Sequence, residues 1–170
     1  YTVAVNIGPA DTWIARLLLR RPGSHRVEDG PAFRTDWFEG PDGGSWFKIP
    51  AISAEGSTLA VARRDCSTGR ETVEIRDAAT GEVRAQIRSD PADPACQLAL
   101  SADGSRLFVR PNGRAVRVHD ASTGAPLGEL VHPGRPYVTA VAVHPRGPVA
   151  CARTDGTVTL WDAEACQPLQ

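Results

Sequence analysis

The chain holds no methionine at all, and Lys48 is its only lysine. Its remaining basic side chains are arginines, a bias that a GC-rich coding sequence produces without any binding site, so it carries no functional weight. Charge of one sign is also lacking: the formal net charge is -1, which gives no long-range reason to seek nucleic acid or an anionic membrane surface. Long apolar runs are missing too. The richest, "WIARLLL", is interrupted by Arg16 and falls far short of the roughly 20 residues that span a bilayer. "YTVAVNIGPADTW" has neither the basic start nor the apolar stretch of a signal peptide, and a chain beginning at Tyr1 reads as starting inside a longer protein. The four cysteines, Cys66, Cys96, Cys151 and Cys166, include no C-x-x-C pair. Zinc sites need ligands clustered at short spacing, so these thiols read as small apolar fillers of strand positions, in keeping with a reducing, cytoplasmic compartment.

Catalytic signatures are equally absent: no G-x-S-x-G elbow, no phosphate-binding G-x-x-x-x-G-K-[ST], no H-E-x-x-H and no G-x-G-x-x-G after a strand. The histidines His119, His132 and His144 fall at different positions of the repeat described next, which argues against a shared metal site. No catalytic residue, metal ligand or cofactor is therefore assigned.

What the chain does have is a repeat. "IRDAATGEVRAQI" from Ile75, "VHDASTGAPLGEL" from Val118 and "LWDAEACQPLQ" from Leu160 align on Asp77, Asp120 and Asp162, spaced 43 and 42 residues apart. Matching lead-ins precede them: "AISAEGSTLAVARRD", "LALSADGSRLFVRPNG" and "AVAVHPRGPVACARTDG". Each unit alternates short β-favouring runs with polar Gly turns. In "TVTLWD", Val158 and Leu160 point to one side while Thr157 and Thr159 point to the other. Four short strands per unit of about 40–45 residues, in tandem, is the pattern of propeller blades. The expected fold is all-β, made of β-propeller blades of four antiparallel strands. The blades divide as 1–46, 47–94, 95–136 and 137–170, about four in all, the first degenerate. Within the first, "YTVAVNI", "TWIARLLLRR", "SHRVED" and "AFRTDWF" are read as the four strands, and Asp36 stands 41 residues before Asp77.

The stretch "VHPGRPYVTAVAVHPRGPVACARTDGTVTLWD" resembles a WD40 repeat, with Trp161-Asp162 as the Trp-Asp pair and His132 in the place of the Gly-His histidine. The likeness spans about Lys48 to Gln170. Many WD40 blades are fixed by a hydrogen-bonded tetrad of a histidine, a strand-two hydroxyl, a turn aspartate and the tryptophan. Carried over, the resemblance places His132, Asp155 and Trp161 in that network, with Cys151 where the hydroxyl belongs. The preceding blade has Asn112 for the aspartate and His119 for the tryptophan, and the one before has Arg76 at the tryptophan position. Packing and ladder hydrogen bonds are therefore expected to hold the blades.

The last fourth strand, "CQPLQ", is shorter than "GEVRAQIRS" or "GAPLGELVH". An unpaired blade edge is a liability that ring closure removes, and WD40 propellers most often have seven blades. The chain is accordingly read as part of a larger propeller, its edges seeking missing blades or a second copy. A closed four-bladed ring is the alternative. Two groups of residues stand out as partner-binding candidates. Trp37, Phe38 and Trp46 lie in the aromatic, Gly-rich "FRTDWFEGPDGGSWF", and Arg64, Arg70, Arg110 and Arg153 flank turns between second and third strands, where a basic rim would grip an acidic peptide. Packing is the favoured reading of the aromatics, and solvated surface charge that of the arginines.

The function these features favour is a non-enzymatic protein-protein interaction or scaffold module, displaying loops to a protein or peptide partner. The WD40 resemblance adds the prospect of a regulatory segment in a larger bacterial signalling protein. The competing reading is a propeller enzyme or small-ligand binder with a central-channel site completed by further blades.

Overall fold

The computed structural model describes residues 2–7, 13–19, 28–34, 50–64, 70–132, 134, 136–144 and 147–169, the first three segments by their backbone. The described residues are all β, in four antiparallel sheets. β1 (Thr2–Ile7), β2 (Trp13–Leu19) and β3 (Glu28–Arg34) form a three-stranded sheet. β4 (Ala51–Ile52), β5 (Thr58–Arg64), β6 (Glu71–Asp77) and β7 (Val83–Arg88) form the second sheet, and β8 (Ala95–Leu100), β9 (Arg106–Pro111), β10 (Ala115–Asp120) and β11 (Pro126–Val131) the third. The fourth comprises β12 (Val138–Val143), β13 (Val149–Arg153), β14 (Val158–Asp162) and β15 (Gln167–Pro168). Each four-stranded sheet pairs its strands in sequence order, so every connection is a hairpin.

One reading of the N-terminal segment is corrected. Glu28 and Asp29 of "SHRVED" and Ala32, Phe33 and Arg34 of "AFRTDWF", taken as parts of separate third and fourth strands, lie instead in one continuous β3, and the rest of both stretches lies outside the described residues. Arg16 pairs Ala32 while Leu18 pairs Asp29, so Gly30 and Pro31 together face Leu17. That bulge accommodates a proline with no N–H to give to the ladder, and the Gly-Pro pair between the two expected strands is an irregularity inside one strand.

The period comes from the turn joining third to fourth strand. Asp77 Oδ1 accepts from the N–H groups of Ala79 (2.8 Å) and Thr80 (2.9 Å). Asp120 accepts from Ser122 and Thr123, both 2.9 Å, and Asp162 from Glu164 (2.7 Å) and Ala165 (2.9 Å). Four residues after the aspartate, Gly81 and Gly124 adopt φ of 76° and 75°. The third turn puts Cys166 there, at φ 52°, the single described non-glycine residue in the left-handed region. A side chain in that region costs on the order of 1–2 kcal/mol, and Cys166 tolerates it with its sulfur against Gly128 and the neighbouring apolar cluster.

The cores lie between sheets, as stacked blades require. Val73, Ile75 and Ala60 of the second sheet pack with Leu98, Leu100, Leu107 and Val109 of the third. Phe108, Val116, Val118 and Leu130 of the third pack with Val141, Val149, Cys151 and Trp161 of the fourth. Alternation puts these residues on one face of each strand and leaves the intervening ones to the other face or to solvent.

Candidate functional site

The residues of the fourth sheet that the WD40 resemblance singles out lie close together. His132 and Trp161 are both buried, and their rings meet edge to face with centroids 4.9 Å apart and planes at 75°. Cys151 lies in the same buried cluster, and burial pushes its thiol up to about 11. Asp155 is turned elsewhere: its Oδ1 accepts from the Thr157 hydroxyl (2.6 Å) and N–H (3.1 Å), which lower its pKa, and Oδ2 lies 3.8 Å from Arg153. Among the described residues, His132 Nε2 and Trp161 Nε1 have no hydrogen-bond partner. Burial lowers the His132 pKa, and the Arg153 charge adds to that while Asp155 opposes it. His132 is therefore held in its neutral form by its surroundings, which suits a packing residue. In the third sheet His119 occupies the corresponding strand position, buried, its Nδ1 3.2 Å from the Gly124 carbonyl.

The four arginines do not share one environment. Arg110 donates to Gln97 Oε1 (3.2 Å) and to the Val138 carbonyl (3.1 Å), which ties the third sheet to the fourth. Arg153 is mostly buried, with 13% of its side chain exposed. Arg64 ends β5 with its backbone opposite Glu71. Arg70 is exposed. Trp37, Phe38 and Trp46 lie outside the described residues. Asn112-Gly113 joins β9 to β10 without a left-handed glycine at 113.

Among the described residues, clefts open between turns and strands of neighbouring sheets. One, of about 560 Å³, is lined by Arg63, Arg70, Thr72, Gln86 and Arg88, with Glu71 and Glu74 at its floor. The floor carboxylates are committed. Glu74 accepts from Arg76 Nε at 2.9 Å and lies 3.7 Å from Arg63, and Glu71 Oε1 accepts the Ala95 N–H at 2.8 Å. Another cleft, of about 630 Å³, lies among turns of three sheets and is edged by Glu55, Asp103, Asp162 and Glu164 with Arg106. Asp103 is bonded to Ser101 and Ser105, and Arg106 donates to the Ala163 carbonyl at 2.8 Å. Their hydrogen bonds depress the pKa of the turn aspartates: Asp77 falls to about 2 through the N–H groups of Thr80 and Ala79, then Arg84, and Asp120 to about 2 through the Ser122 hydroxyl and Thr123 N–H. A carboxylate so stabilised as an anion is a poor proton acceptor near neutral pH. No group of three or more His, Cys, Asp or Glu that could hold a metal ion occurs among the described residues.

Sequence reasoning missed the polar seams between sheets. Gln97 Nε2 donates to the Val141 carbonyl (2.8 Å), and the Val141 N–H returns to Gln97 Oε1 (3.0 Å). The Val138 N–H donates to the Gly113 carbonyl (3.0 Å), and the Glu55 N–H to that of Ala102 (3.1 Å). These residues are separated by up to 47 positions in the chain, and a period of one blade shows which residues are equivalent rather than which of them meet.

No family model matches the chain, and no curated protein matches it. Solved structures do. The crystal structure of BamB from Moraxella catarrhalis, a β-propeller, superposes with a TM-score of 0.60 at 17% identity, over 99% of this chain and 47% of that one. A chain in the crystal structure of the Mitotic Checkpoint Complex superposes with a TM-score of 0.59 at 17% identity, over 89% of this chain and 44% of that one. The chain thus spans less than half the length of either. With its four-stranded meanders stacked face to face, it is built as β-propeller blades.

Proposed function

We propose that this chain is a non-enzymatic interaction module, a WD40-like set of blades that holds surface clefts in fixed geometry for a protein partner. The observation that carries this reading is how the polar side chains are used. The aspartates of the repeated turns are bound by their own backbone, Glu71, Gln97 and Arg110 clamp neighbouring sheets, and arginines line an open cleft. Rigid display of this kind suits recognition, because little conformational entropy is lost when a partner docks. The His132–Trp161 contact supports the WD40-like reading of the fourth sheet. The two solved structures it resembles belong, by their titles, to a protein called BamB and to a multi-protein complex, which is in keeping with this role.

The test is a random peptide array probed with the labelled chain, beside a thermal-shift screen of common metabolites. The expected result is a recurrent peptide motif whose binding saturates and is lost on scrambling. A metabolite that stabilises the chain, with no peptide motif above the scrambled controls, would overturn the reading in favour of a ligand-binding propeller.

A further inference from the structure

We infer that the outward face of the fourth sheet is an interface between two copies of this chain, seated on the first sheet of the second copy.

Strand register assembles the face. Ala150 and Ala152 of β13 lie between Ala142 and Ala140 of β12 and Leu160 and Val158 of β14. These six share one side of the sheet, because alternation sends Val141, Val149, Cys151 and Trp161 to the other, where they meet the third sheet. None of the six has a polar side chain, and they line neither of the clefts described above. Val158 is 62% exposed and Leu160 50%, with Ala140 and Ala142 exposed beside them. Single exposed aliphatics are ordinary, but an uncharged row across three strands marks a contact surface.

The molecule itself shows what covers such a face. In the second sheet Ala60 pairs Ile75 and Ala62 pairs Val73, with Ala51 opposite Ala60. Ala150, Leu160, Ala152, Val158 and Ala142 hold the same places in the fourth sheet. Ile75 and Leu160 each stand two residues before the turn aspartate. The second sheet's set packs against Leu98, Leu100, Leu107 and Val109 of the third. Small residues on one side thus meet bulky aliphatics from the first two strands of the next sheet, which lets the sheets stack about 10 Å apart. The fourth sheet's face accordingly fits a further sheet with bulky apolar residues at those positions, and neither a charged peptide nor a nucleic acid.

A second copy brings that set. In the third sheet Leu100 pairs Leu107 beside the first hairpin turn, and Leu98 pairs Val109 two residues further back. The corresponding pairs of the first sheet are Ile7 with Trp13 and Val5 with Ala15, followed by Val3 with Leu17. Stacking the fourth sheet of each copy on the first sheet of the other repeats one heterologous contact twice and closes it into a two-fold ring. Length agrees, because this chain spans 47% of the BamB propeller and two copies approach one such ring.

The experiment is sedimentation equilibrium of the 170-residue chain across a wide range of concentration. Wild type should reach a dimer and stop there. Val158→Glu/Leu160→Glu places two carboxylates where solvent meets them in the monomer, so circular dichroism should be unchanged. Dimerisation should weaken at least about a hundredfold, as burying unpaired charge implies. Ala140→Arg should do the same from β12, another strand of the face. Leu127→Glu adds a carboxylate at an exposed position of β11 and should leave the dimer constant within about twofold. A wild-type monomer at every concentration would overturn the inference and give the face to a sheet of some other polypeptide. A dimer that survives both face variants would place the contact elsewhere, and a ladder of higher species would refute the closed pair.

Discussion

The residue that departs most informatively from the pattern around it is Cys151. It fills the position at which the WD40 resemblance would place a hydroxyl, and His132 Nε2 and Trp161 Nε1 are both left buried without a partner among the described residues. Each such orphan costs on the order of 1–3 kcal/mol relative to a satisfied group. The Trp161 nitrogen is a donor only, and the histidine nitrogen takes either role according to tautomer. A single hydroxyl can accept from one and donate to the other. Cys151→Ser is nearly the same volume and is expected to raise stability by about 1 kcal/mol, seen as a higher urea midpoint with an unchanged slope. A lower midpoint would mean that the hydroxyl reaches neither nitrogen, and that the ring contact alone joins the pair. Cys151→Ala removes the sulfur without supplying a hydroxyl, so it should destabilise and thereby separate a size effect from a hydrogen-bond effect.

At the scale of the strand and turn, most of the architecture was legible, because period and turn chemistry are local. "DAATG" and "DASTG" state their own geometry: an aspartate that accepts two N–H groups and a glycine four residues later. The four-strand units could be read off for the same reason. β3 was not, since a Gly-Pro pair is as good a turn signal as it is a bulge, and only the partner strand decides. The candidate site was less legible. Arg110 and Arg153 look like rim residues by position, yet Arg110 joins two sheets and Arg153 is largely buried. Arg63 and Arg88, 25 residues apart, come together only through the register of β5, β6 and β7. The same gap between local signal and packing separates two turn glycines. Gly156 has φ 81° with open space around it, whereas Gly104 has φ 73° and a Cβ there would sit 2.5 Å from Thr58 Oγ1 and 2.9 Å from Thr58 Cβ on the adjacent sheet. Gly156→Ala should cost about 1 kcal/mol from backbone strain alone. Gly104→Ala should cost about 2–3 kcal/mol, because the turn must also back away from β5. Urea unfolding of the two variants side by side checks this, and equal losses would show that the contact with Thr58 yields without resistance.

For the molecule as a whole, the question is what makes separate four-stranded meanders behave as one body. Between the third and fourth sheets the apolar cluster around Phe108 and Trp161 packs the two together, but apolar contact is non-directional and sets no alignment. Alignment comes from the seam at β8 and β12, where the Gln97 amide bonds both polar atoms of the Val141 peptide and Arg110 spans Gln97 and the Val138 carbonyl. An amide suits the place because it offers a donor and an acceptor together. Gln97→Leu keeps comparable bulk while removing both, leaving the Val141 N–H and carbonyl and the Arg110 Nε to find water or remain unpaired. Stability should fall by about 2–4 kcal/mol, more than one lost surface hydrogen bond accounts for. The distinctive consequence concerns cooperativity. In stacked repeats each unit is stabilised through its interfaces, so weakening one interface should let the fourth sheet open before the third. Hydrogen exchange by NMR provides the readout: in wild type the slowest amides of β9 and β13 should exchange at similar rates, and in Gln97→Leu those of β13 should become faster while those of β9 hold. If both strands speed up equally, the two sheets still unfold together, and the apolar cluster, not the amide seam, is what couples them.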